Sequence, residues 1–115
     1  MEGTETITPG KVIVAPEVLI TIAKLATLSV QGVAHMAAVP GGIDRYFKRG
    51  TADGVRIHTN ANSLSADLYI VVRGDANARE VSEAVQTAVS RAMSEMVGME
   101  TSMVNVHIED FAFTE

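Results

Sequence analysis

Apolar residues recur along this chain at two spacings, and each change of spacing marks a new element. The β-branched run Lys11-Val12-Ile13-Val14 stops at Ala15-Pro16, which predicts a short first strand. Pro16 suits the first helical position, where no N–H is needed, and Glu17 sits well in the positive first turn. Val18, Leu19, Ile22, Leu25, Ala26 and Val30 then recur at threes and fours, predicting an amphipathic helix that ends near Gly32. Thr21 and Thr27 leave its polar face almost uncharged, which suggests that this face also meets protein.

Val33 to Val39 reads as a short extended segment that Pro40-Gly41-Gly42 breaks, opening a loop that Gly54 closes. Val55 and Ile57 alternate with Arg56 and His58, a strand with one wet face. Asn60 to Ser63 forms a hairpin turn. Leu64, Ala66, Leu68, Ile70 and Val72 alternate with Ser65, Asp67, Tyr69, Val71 and Arg73, the clearest strand in the chain. Asn77 is placed to cap a second helix, with Glu80 completing the capping box. That helix carries Val81, Ala84, Val85, Ala88, Val89, Ala92, Met93 and Met96 on one stripe, and Gly98 ends it. Val104, Val106 and Ile108 form a last strand, with Phe111 and Phe113 beyond it. The order β-α-β-β-α-β predicts an α+β two-layer sandwich, two helices packed on one face of a mainly antiparallel sheet.

With 115 residues, one domain is expected at 10–115, behind a loose polar tail at 1–9. A chain of this size buries roughly two-thirds of its unfolded surface, so a core forms without staples. The absence of cysteine excludes disulfides, thiol nucleophiles and thiolate metal sites. A net charge of −5 argues against a nucleic-acid binder, which needs a basic face. The N-terminus lacks the basic and apolar regions of a secretory signal, and the least charged window, Leu25 to Ile43, is too broken to span a membrane. The expected location is therefore cytoplasmic, with any membrane contact made through something else.

The sequence resembles the alkaline shock protein twenty-three family of bacterial envelope stress response proteins, which also contains general stress protein twenty-four. The resemblance rests on Gly10, Val12, Val14, Glu17-Val18 running into Ile22-Ala23, Gly32-Val33 with Met36, and Asp67-Leu68-Tyr69-Ile70-Val71-Val72. Val85-Gln86 and Val104-Asn105-Val106-His107 complete it. Arg73 stands where the family usually has tyrosine, and His35 where glycine is common. The resemblance implies a cell-envelope stress role as an interaction or scaffold domain. Such a domain self-associates as a homo-oligomer or docks onto a small membrane-anchored partner, peripheral at the inner face of the membrane.

Candidate chemistry is sparse. His58 and His107 lie on outward strand positions and could share a metal, but no third ligand has suitable spacing, so no metal or other cofactor is expected. Asp67 is expected to form a cross-strand ion pair with Arg56. No nucleophile–base order or phosphate loop is present, and no enzymatic activity is expected. The most distinctive segment is residues 41–50, with Arg45, Tyr46, Phe47, Lys48 and Arg49. One reading is a helical turn packed through Ile43 and Phe47; the others are a protein contact, or a surface for nucleic acid or lipid. A small RNA- or nucleotide-binding module built on this loop is thus the alternative function. Met93, Met96, Met99 and Met103 are either core filler or a re-packable interface, and Phe111 and Phe113 face the same choice.

Overall fold

The computed structural model describes residues 12–40, 51–60 and 63–113. Its elements are α1 (Pro16–Leu28), β1 (Val33–Met36), β2 (Thr51–Ala52), β3 (Val55–Asn60), β4 (Ser63–Arg73), α2 (Ala78–Val97) and β5 (Glu100–Ala112). Together they make the expected two-layer α+β sandwich. β4 is its centre, because Leu64, Ala66, Leu68, Ile70 and Val72 are all buried against the helices. Leu19, Ile20, Ile22 and Ala23 of α1 and Val81, Val85, Val89 and Met93 of α2 close the same core. Such a cluster supplies the main driving force for folding.

The β-branched run before α1 departs from expectation. Val12 to Val14 pairs with no strand among the described residues; Val12 is 91% exposed, and only Val14 packs against the core. The additional sheet strand comes instead from the extended segment after α1, as β1. High β-propensity makes a strand only where a partner strand runs alongside, and both edges of β4 are already taken. α1 also ends earlier than expected, at Leu28 with Ser29 as its C-cap.

One edge of β4 is divided between two partners. β3 pairs antiparallel with its first half, from Asn60↔Ser63 to Val55↔Leu68. β1 pairs antiparallel with its last residues, from Met36↔Ile70 to Val33↔Val72. At the junction, Tyr69 donates its N–H to the Gly54 carbonyl at 2.8 Å and accepts from the Ala37 N–H at 2.7 Å. β2 adds to β3 through a turn in which Asp53 (φ 56°) and Gly54 (φ 79°) are both left-handed, as a two-residue hairpin requires. The opposite edge of β4 is taken along its whole length by β5, which runs parallel. A parallel neighbour needs a crossover, and α2 supplies it. Asn77 caps α2 by accepting the Glu80 N–H at 3.0 Å, and Gly98 ends it in the left-handed conformation, both as expected.

Candidate interaction surfaces

The residues of β4 that point away from the helices define a second sheet face, half-buried at Ser65 and Asp67 and buried at Tyr69 and Val71, and the strand registers decide what stands beside them. His58 lies opposite Ser65, Arg56 opposite Asp67, His107 beside Tyr69 and His35 opposite Val71. Residues opposite one another share a face, so all three histidines belong to this one. His58 and His107 are nevertheless set four β4 positions apart, roughly 13 Å at the rise of a strand. Among the described residues no group of three or more histidines and carboxylates converges as a metal site would.

Asp67 organises the centre of this face. Its Oδ1 accepts from Asn105 Nδ2 at 3.1 Å and pairs with His107 Nε2 at 3.0 Å. A carboxylate only accepts, so Nε2 carries the hydrogen. Burial pushes the Asp67 carboxyl up; the hydrogen bonds from His107 and Asn105, with the charges of His107 and Arg56, more than offset this and hold it below the ordinary carboxylate value. The imidazole of His107 also stacks on the Tyr69 ring, with centroids 4.4 Å apart and planes 10° from parallel. Arg56, from the other edge of β4, places its guanidinium carbon 5.8 Å from the centre of the same ring. The expected Arg56–Asp67 ion pair is therefore corrected: the register is right, but β5 supplies two nearer donors and Arg56 turns to the aromatic ring. This arrangement clamps β4 to β5 around the buried Tyr69 ring.

A second surface lies on the outside of the helix layer. Thr21, Ile22, Leu25, Ala26, Ala88, Ala92 and Met96 line a groove of about 500 Å³ between α1 and α2, edged by Arg91 and Glu95. Leu25 is 61% and Met96 67% exposed, and Val18 and Leu28 continue the apolar stripe along α1. The low charge of this helix face was legible in the sequence, but Thr27 is not part of it. Its side chain is fully buried and its hydroxyl donates to the Ala23 carbonyl at 2.7 Å. Of the methionines, Met93 is core filler, Met99 packs at the margin of the core, and Met96 and Met103 are exposed.

Arg45, Tyr46, Phe47, Lys48 and Arg49 lie outside the described residues. Phe111 and Phe113 are both exposed at the end of β5. The ring of Phe113 covers Gly74 so closely that a Cβ there would lie 2.2 Å from Cδ1. Sequence reasoning missed the Asp67–His107–Tyr69 cluster, whose partners are 38 and 40 residues apart and meet only through the parallel pairing of β4 with β5.

These features define a small α+β domain with one polar, histidine-bearing sheet face and one apolar helix groove. Residues 4–113 match the model of the alkaline shock protein twenty-three family, described as having a cell envelope-related function, and the chain belongs to that family. It is 30% identical over 106 residues to the uncharacterized protein YqhY of Bacillus subtilis (strain 168), covering 90% of this chain and 78% of that protein. An uncharacterized protein of Streptococcus pyogenes serotype M6 is 31% identical over 101 residues, covering 87% of this chain and 78% of its own. Among solved structures, the MamM CTD is similar in fold, with a TM-score of 0.56 at 21% identity, covering 82% of this chain and 96% of that one.

Proposed function

We propose that this protein is a non-enzymatic interaction domain of the envelope stress response, one that self-associates and is held at the inner face of the cell membrane by a small membrane-anchored protein. The observation that carries this reading is the helix-layer groove, where Leu25 and Met96 stand exposed side by side on neighbouring helices. Apolar surface gathered into one patch and rimmed by charge is the usual form of a protein contact. The family's cell envelope-related function supports the location. No helix among the described residues is long and apolar enough to cross a membrane, so the reading assigns the anchor to a partner.

The test is fractionation of the native host with wild type and a Leu25→Glu/Met96→Glu double variant whose thermal melt matches wild type. Wild type should sediment in part with membranes, and the variant should move to the supernatant. A variant that sediments as wild type does would remove the groove from the mechanism. Tight binding of pure wild type to protein-free neutral liposomes would remove the need for a partner.

A further inference from the structure

We infer that β5 is the edge through which two copies of this chain pair, an inference that rests on the self-association part of the reading above and gives it a surface and a register. β5 bonds along one side to β4 and meets no other strand among the described residues. Its 13 residues therefore hold the longest open row of backbone donors and acceptors in the sheet, since β1 has four residues and β2 two. Such a row is a template for another strand. Register jumps at Ser102 and Glu109 bracket a regular stretch from Met103 to Ile108. Within it the Val104 carbonyl is accessible enough to accept from Gln86 Nε2 at 3.0 Å, and a carbonyl oxygen keeps a second lone pair for a partner strand.

This stretch is self-complementary in one antiparallel register. Centred on Val106, it sets Val106 opposite its counterpart, Val104 opposite Ile108, and Asn105 opposite His107. Opposite residues then share a face, so both helix layers fall on the same side of a continuous sheet. Val104, Val106 and Ile108, which are half-buried at the margin of the core, join into one apolar row across the two copies. On the face away from the helices, Asn105 and His107 are already oriented by Asp67 of their own copy. The competing registers match less well. Centring on His107 sets the charged Asp110 against apolar Val104 and leaves only Val106 and Ile108 to pair with each other. Centring on Asn105 instead sets Ile108 against Ser102 and Glu100 against Asp110, and like charges directly opposite are destabilising. The result is a closed two-fold dimer with the same patch used twice.

The chain has no cysteine, so each introduced thiol is the only one it carries. Under mild oxidation of the full-length protein, Val106→Cys should give a covalent dimer, because residues at the dyad bring their Cβ atoms to about 4.5–5.5 Å, which a small shift of the two strands closes to disulfide range. Asn105→Cys and His107→Cys should each stay unlinked alone and link to one another when mixed. Wild type should sediment as a concentration-dependent dimer. A wild-type dimer with no link at position 106, or equal self-linking at all three positions, overturns the β5 pairing and leaves self-association standing. A strictly monomeric wild type at high concentration overturns both.

Discussion

The ring of His107 lies flat on Tyr69 while its Nε2–H is held by Asp67, so one imidazole ties together two neighbouring positions of the central strand. Because the folded pKa of Asp67 is depressed, its ionised form stabilises the fold. That contribution is present above the ordinary carboxylate pKa and is lost as pH falls through the lower folded value. Asp67→Asn should cost about 1–2 kcal/mol at neutral pH. The gap between the melting curves of wild type and variant should narrow as the pH is taken down through the acid range. A gap independent of pH would mean that the carboxylate charge contributes nothing to the clamp.

Leu68 is fully buried at the middle of β4. Leu68→Asp places an unpaired carboxylate in the core, a change of more than about 4 kcal/mol that a marginally stable domain does not survive. Circular dichroism of the purified variant should show no cooperative melt. A near-normal melt would put the wrong face of β4 inside.

Gly54 combines a φ of 79° with close quarters: a Cβ there would lie 2.5 Å from the Ala37 carbonyl oxygen and 3.1 Å from that of Tyr69. Both obstacles are backbone, so neither can rotate away. Gly54→Ala should destabilise by about 3 kcal/mol, measured by denaturant titration. Gly98→Ala is the control, since nothing lies within 4 Å of its Cβ position and only its φ of 69° is strained. It should cost about 1 kcal/mol.

Asn77→Ala removes the acceptor for the Glu80 N–H at the start of α2. The expected loss is about 1 kcal/mol, with Asn77→Asp close to wild type. Equal losses for the two replacements would show that the cap is not what Asn77 provides.

What could be read from the chain was what local pattern encodes. β4 was legible because its five helix-facing positions are apolar at every second residue, and α2 because its stripe lies between a capping asparagine and a terminating glycine. β2 was not legible, although Asp53-Gly54 is a strong two-residue hairpin signal, because a strand of two residues shows no alternation of its own. The misplacement of the first strand has another cause. Propensity at Val12 to Val14 is high, but β1 and β3 already fill the β4 edge on one side and β5 the other. The partner of Asp67 was hidden for a similar reason. Alternation reports which face a residue takes, while sheet order decides whether Arg56 or His107 provides the nearer donor.

The division of one β4 edge between β1 and β3 has a consequence for how the chain avoids misassembly. The smallest slip that keeps apolar residues facing inward is two positions. Sliding β3 that far towards the C-terminal end of β4 would drive the Asp53-Gly54 turn into the start of the segment that β1 occupies. Sliding β1 the other way would meet the same turn. Each strand is thus the end stop of the other, and Tyr69, bonded to Gly54 on its N–H and to Ala37 on its carbonyl, marks where the stops touch. Correct alignment of three strands is therefore settled at a single backbone junction instead of being fixed separately along each ladder.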